Sequence, residues 1–360
     1  MTYTEGDSSG SEARAERNDW TSAEWGGRYM KIETEFTRLL GIEAPIICGA
    51  MYPCTNPELV AAVSEAGGIG VVQPMSMIFV HHHDLRDGLR MIRKQTSKPI
   101  GFNAIVEKTI QTFEEQMRRW IDVAIEEGVR FFITALGNPG WVVERVHQVG
   151  GTVFHDVTER KWALKALDAG VDGLICVNNR AGGHTGKKSP TELYEELADL
   201  RVPLICAGGI GDAEGFRQAL QLGYAGIQMG TRFIATQECN AHIDYKQAII
   251  NAGDEDIVLT DKISGVPVSV IRTPSLEKIG LKAGPVARYL LRNERTKRMM
   301  RLFYSLTSMW KLKKASLAGI SYKDLWQAGK SVAGIHSVER AGDIIHRFAS
   351  ETRSYSNPIL

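Results

Sequence analysis

Between positions 45 and 251 one unit recurs: a short apolar run, then a longer segment with helical spacing. The apolar runs cover 45–48, 69–72, 100–103, 130–135, 152–155, 173–177, 204–207 and 225–229. They are continuous rather than alternating, the pattern of strands buried on both faces in a parallel sheet. Helices are predicted over 56–66, 84–94, 112–127, 140–149, 159–169, 190–200, 212–222 and 240–251. Pro57 lies just inside the first helix and Gly67 just beyond it; Gly128, Gly170 and Gly223 stop three others. Eight strand–helix units in sequence match a closed (β/α)8 TIM barrel. An open doubly wound sheet is the structural alternative, and the number of units favours closure.

The barrel is expected over 31–252. Residues 1–30, rich in Ser, Glu, Arg and Gly, read as a disordered or loosely docked extension, with Trp20 and Trp25 available for docking. A C-terminal, mainly helical segment packing on the barrel is expected over 253–350, with a tail over 351–360. Within it, 288–314 is basic with interleaved Met, Leu, Phe and Trp. It reads as a solvated helical face, or as a lid, partner helix or contact for an anionic substrate. Residues 322–348 read as amphipathic helix.

Composition excludes several function classes. Lys plus Arg (43) balance Asp plus Glu (42), and the net charge of +1 gives no bias toward nucleic acid or acidic membranes. No apolar run reaches the roughly 18 residues of a spanning helix. Positions 1–27 carry no signal-peptide pattern. Cys48, Cys54, Cys176, Cys206 and Cys239 are scattered, as in a reduced cytoplasmic protein with buried thiols.

A barrel of this class carries its site at the C-terminal ends of the strands, and the unusual residues of this chain collect there. Gly49, Ala50 and Met51 follow the first strand, a small-residue floor on which a planar ring could lie. Asn103 ends the third. Gly208 and Gly209 follow Ala207 after the seventh, and Gly230 and Thr231 follow Met229 after the eighth. Loops seven and eight are where barrels commonly hold a phosphate on backbone N–H groups. Arg232 either adds charge there or points outward. No G-x-G-x-x-G fits, which argues against a Rossmann site. A phosphate cradle and a small-residue floor suit flavin mononucleotide (FMN). After the sixth strand, Gly182 and Gly183 precede His184, whose imidazole suits proton transfer near neutral pH. Tyr52 either lines the pocket or packs on the next helix. His81, His82 and His83 lack a carboxylate pattern, so no metal site is expected.

These stretches resemble the nitronate monooxygenase family, FMN-dependent barrels that include enoyl-acyl-carrier-protein reductases and NADH:quinone reductases. The matching segments are 44–51, 66–70, 101–103, 181–184, 207–209 and 228–233, with a weaker echo over 326–335. The resemblance implies His184 as the catalytic residue. It implies cofactor contacts from Gly49, Ala50, Met51, Asn103, Asp156, Gly182, Gly183, Ala207, Gly208, Gly209, Gln228, Gly230 and Thr231. It further implies FMN-dependent oxidation of alkyl nitronates by dioxygen to carbonyl compounds and nitrite. The alternative is NAD(P)H-dependent reduction of a quinone or enoyl thioester. Small-molecule substrates are expected, with no nucleic acid and no membrane span, and a homo-oligomer is left open. Two departures from the pattern stand out. Some relatives carry a lysine where this chain has His155 and Asp156, and some carry a serine where it has Ala207.

Overall fold

The computed structural model describes residues 31–106, 111–261, 267–282 and 326–354. The 1–30 extension and the basic 288–314 stretch lie outside the described residues. Eight parallel strands close into a barrel: β1 Ile46–Cys48, β2 Ile69–Val72, β3 Gly101–Val106, β4 Phe131–Leu136, β5 Thr152–Val157, β6 Gly173–Val177, β8 Leu204–Ala207 and β9 Gly226–Met229. The short strand β7, Gly183–His184, lies outside the ring. Closure is direct, since Ile46, Ile47 and Cys48 pair with Ile227, Gln228 and Met229. The closed barrel is therefore realised, and the open sheet is not.

Alternation along the strands splits the core in two. Ile47, Ile69, Val71, Phe131, Ile133, Phe154, Ile175 and Ile205 form one buried cluster in the lumen. Their strand neighbours, such as Ile46, Cys48, Phe132, Val153 and Leu174, belong to the cluster shared with the helices. The helix α1, Glu35–Leu40, starts at a Thr34 capping box and plugs the N-terminal end. Its Phe36 is fully buried, with ring centroids 5.9 Å from Phe131 and 5.5 Å from Phe154. With that end filled by aromatic rings, a ligand can enter only at the strands' carboxyl ends.

The outer layer contains α2 Pro57–Glu65, α3 Pro74–Phe79, α4 Leu85–Arg93, α5 Gln111–Glu126, α6 Gly140–His147, α7 Arg160–Asp168, α8 Pro190–Leu197 and α9 Ala213–Leu222. The position between α9 and α2 was expected to go to 240–251. Those residues do form a helix, α11 Ile243–Asn251, after the four-residue α10 Thr231–Ile234. The C-terminal helix Ala341–Ser354 instead packs against both α9 and α2, with Phe348 stacked on Phe216 at 6.1 Å. Between these helices the chain crosses the barrel mouth. It forms β10 Ile257–Thr260, β11 Val268–Ile271 and α12 Pro274–Ile279; Ala341–Ser354 is then α13. Residues 326–340, read as helix from the sequence, are extended except for a 3-10 turn at Lys330–Gly334. There Gly329 meets the backbone of Gly182 so closely that a Cβ on it would lie 2.5 Å from the Gly182 nitrogen. No described helix is long and apolar enough to cross a membrane.

A buried ion pair fastens the returning chain. Arg232 in α10 has a fully buried side chain and donates to Glu339 at 2.5 Å and to the Ser337 carbonyl at 3.2 Å. Glu339 also accepts from Arg347 of α13. Burial lowers the Arg232 pKa to about 10, so the guanidinium stays charged at neutral pH. Removing one partner strands the other charge in a dry site. Glu339→Gln should cost roughly 3 kcal/mol in urea unfolding, whereas the double variant Arg232→Met/Glu339→Gln should recover part of that loss. Equal stability of Glu339→Gln and wild type would remove this pair as the fastening.

Candidate active site

The lumen changes character at its last layer. Below it lie Ile, Val and Phe with glycines among them, such as Gly101 and Gly173; at the mouth, continuing the same alternation, come Gly49, Gln73, Asn103, Ala135, Asp156, Val177, Ala207 and Gln228. Gly49 and Gln228 are neighbours across the closing seam: a Cβ on Gly49 would lie 3.1 Å from the Gln228 side chain. Asp156 follows lumen-facing Phe154 by two residues, so its carboxyl points inward. His155, between them, faces the helices, with its Nδ1 2.8 Å from the Thr134 hydroxyl. Burial holds the His155 pKa down at about 4, leaving a neutral ring.

Two atoms of this layer are enclosed without a hydrogen-bond partner: Asp156 Oδ1 and Gln228 Oε1. Asp156 retains some accessible surface at the mouth, but Oδ1 has none of consequence. Unpaired buried polar atoms are costly and therefore rare. Desolvation pushes the Asp156 carboxyl up to about 7.

His184 was expected on a loop. It is instead half of β7, which pairs antiparallel with β11: His184 opposite Val268 and Gly183 opposite Ser269. The segment that crosses the mouth thus supplies the edge that fixes the histidine's backbone, and no local pattern around His184 announces this. The residue is exposed, yet protein crowds it enough that lost hydration lowers its pKa. A neutral imidazole, the form that accepts a proton, is the state at neutral pH.

Behind His184, Asn178 is completely buried and binds two loops. Its Nδ2 donates to the Gly208 carbonyl at 3.0 Å, and its Oδ1 accepts from the Arg180 N–H at 2.8 Å. Its own carbonyl accepts from the Thr185 hydroxyl at 2.7 Å. Asn178 was not among the residues singled out from sequence, although a polar residue ending an apolar strand is a signal that could have found it. Gly208 and Gly209 have φ of 120° and 83°, conformations that favour glycine. A Cβ on Gly208 would meet the Ala181 nitrogen at 2.5 Å.

The two glycine loops and the His184 segment therefore converge. A Cβ on Gly182 would lie 3.3 Å from the Thr231 hydroxyl, and Gly230 packs beside Met51. The Thr231 hydroxyl accepts from the Gly329 N–H at 3.0 Å, and the Lys330 N–H donates to the Arg180 carbonyl at 2.9 Å. The 326–335 segment, only a weak echo in the sequence, is thus built into this end of the site. Ala50 borders the lumen cluster and Asn103 is buried in the mouth layer. Arg232 does not join the glycine loops, because Glu339 holds it. Tyr52 rests against the cluster of Val268, Val270 and Leu276, two of them on the strand that pairs with His184. His81 lies 3.2 Å from the Thr55 carbonyl, and no cluster of metal ligands occurs among the described residues.

These residues fit a cofactor that combines a planar ring with a phosphate. Orphaned polar atoms rim the mouth, the floor is small, and left-handed glycines with a hydroxyl stand to one side.

The nitronate monooxygenase family model matches residues 33–347. A (3aS,4S,5R,7aS)-5-hydroxy-7a-methyl-1-oxo-octahydro-1H-indene-4-carboxyl-CoA dehydrogenase of Mycobacterium tuberculosis is 31% identical over 263 residues, 72% of this chain and 71% of that protein. A probable nitronate monooxygenase of Staphylococcus aureus is 28% identical over 324 residues, 77% of this chain and 90% of that protein. The structure of FabK from Thermotoga maritima superposes with a TM-score of 0.73 at 30% identity, covering 91% of this chain and 98% of that one.

The carboxyl of Asp156 makes stability depend on pH. Its folded pKa lies above the unfolded value of about 3.9. Its contribution is therefore greatest below that value and is lost as pH rises toward about 7. Flavin-free Asp156→Asn should match wild type in urea unfolding near pH 4 and exceed it by about 1–3 kcal/mol at pH 8. A difference independent of pH would contradict the shift.

Proposed function

Since the chain belongs to the nitronate monooxygenase family and is a flavin-dependent oxidoreductase, we propose that it oxidises alkyl nitronates to carbonyl compounds and nitrite, with FMN as cofactor and dioxygen as acceptor. The observation that carries this reading is the neutral His184 imidazole, fixed on β7 beside a mouth whose polar atoms lack protein partners. When bound, FMN supplies the redox chemistry. Gly208, Gly209, Gly230 and Thr231 would hold its phosphate; Gly182 and Gly183 flank that end. Gly49, Ala50, Met51, Asn103, Asp156, Ala207 and Gln228 would border its ring. All five cysteines are buried and free, which fits the reducing cytoplasm.

The protein's own contribution is proton handling and positioning. Neutral His184 accepts the α-proton of a nitroalkane, or presents its ring N–H to an oxygen of a nitronate already formed. β11 keeps the backbone of His184 in register, and Asn178 keeps the loop behind it closed.

A second reading is favoured by the 31% identity to the coenzyme A thioester dehydrogenase. A thioester also acidifies its α-proton, and the same imidazole would serve. Anaerobic mixing separates the two. Bleaching of the flavin by a nitronate alone supports the first reading; bleaching by an acyl-CoA supports a thioester dehydrogenase, and bleaching by NADH a reductase of a quinone or an enoyl thioester.

His184→Asn should keep its flavin yet lose about 10²–10⁴-fold in turnover of neutral nitroalkanes, with much less loss on preformed nitronates. Because its pKa is lowered, the acid limb of kcat/KM for the neutral substrate should fall below the ordinary histidine value of about 6.5. The variant should lack that limb. Unchanged kinetics on both substrate forms would exclude His184 as the base.

A further inference from the structure

We propose that Asp156 touches the bound flavin ring directly and donates a hydrogen bond from its carboxyl to an acceptor on the ring's polar edge. The inference rests on the flavin reading above. It goes beyond that reading in assigning the residue a proton, a direction of donation and a spectroscopic consequence.

The geometry comes first. Strand alternation carries Asp156 into the lumen one layer above Phe154, at the only end that α1 leaves unplugged. Its Oδ1 is enclosed and unpartnered. Gln228 Oε1, three strands away around the ring, is the other unpartnered atom of the same layer. A carboxyl holding its proton offers a donor, while an amide oxygen requires one. A ligand that answers both must carry an acceptor and an N–H on its rim. The pyrimidine portion of a flavin carries carbonyl oxygens and an imide N–H, which meets that demand.

Among the described residues Asp156 has no ion-pair partner. On the β4 side Ala135 comes one position beyond the paired Thr134 and His155, and β6 places Ile175 opposite Asp156. Val177 is the next lumen residue of β6. Cys176 feels its charge, but burial first, then Cys206, then Asp156 keep that thiol protonated. His155 faces away toward Thr134. Asn103 and Gln228, elsewhere in the layer, are neutral. With no cation at hand, desolvation governs the group, and its pKa of about 7 leaves a substantial protonated fraction at neutral pH. Where some relatives carry a lysine, this chain would therefore use a neutral acid.

The test uses the yellow holoenzyme. Its visible spectrum is titrated between about pH 5.5 and 8.5, for wild type, Asp156→Asn and His184→Asn. The expected result is a one-proton change in the flavin bands of wild type that persists in His184→Asn and is absent in Asp156→Asn. FMN affinity of the reconstituted protein should fall about tenfold in Asp156→Leu and much less in Asp156→Asn, which keeps a donor. Far-UV circular dichroism checks that each variant is folded. A wild-type titration reproduced in Asp156→Asn, or no such titration in wild type, overturns the assignment while leaving the flavin reading intact. A purified protein that is colourless and refuses added FMN defeats both. If Asp156→Leu fails to fold, the spectra of Asp156→Asn decide alone.

Discussion

The side-chain period of a parallel strand is two, and a closed ring of eight strands turns that period into a container. Every second residue must enter the lumen, whatever its chemistry. Lower layers satisfy this with Ile, Val and Phe, and α1 seals the base with Phe36. The same rule then forces Asn103, Asp156 and Gln228 inward at the top, where no lower layer can pair them. A mouth with unsatisfied polar atoms is destabilising unless something binds there. The stability of the barrel and the existence of the site come from one geometric constraint.

A ring of strands does not by itself place His184, which lies beyond β6 and outside the ring. Its placement needs the chain after β9. That chain pairs β11 with β7, lays Gly329 against Gly182, and donates to the Thr231 hydroxyl from the Gly329 N–H. It then returns as α13 to occupy the outer position between α9 and α2. Arg232 and Glu339 clamp the point of return. Packing energy spent far from the mouth thus keeps the 326–335 segment seated over it.

The barrel was legible because its signal is local and repeated: apolar runs for strands, helical spacing between them, glycines at the stops. The convergence of the two glycine loops was legible for the same reason, since a barrel sends every such loop to one end. What escaped was non-local. Residues 240–251 and 341–354 both have a helix's spacing, and only packing decides which lies against α2. Two residues, Gly183 and His184, cannot declare a strand without their partner Val268. Arg232 sits among glycines and a threonine in sequence, and the carboxylate that accepts from it comes from more than a hundred positions later. Asn178 shows the converse case. Its chemistry was visible at the end of an apolar run, but its hydrogen bond to the Gly208 carbonyl exists only once β8 lies beside β6.

The charge state of the mouth bears on what can enter it. His184 and His155 are neutral at pH 7, Asp156 is partly protonated, and the Arg232 charge is spent on Glu339. Among the described residues, the mouth layer itself offers an incoming anion no cation, and the nearest guanidinium, Arg180 over Gly209, is paired with Asp254, so lost hydration must be replaced largely by hydrogen-bond donors and backbone dipoles. Under the reading proposed above, a neutral carbon acid would meet no such penalty on entry and would acquire charge only as His184 took its proton. At that moment the imidazolium would become a cation beside the developing charge. In this proposed arrangement the histidine would supply both the base and the countercharge, and a permanent lysine at the Asp156 position would oppose it by disfavouring the protonated imidazole.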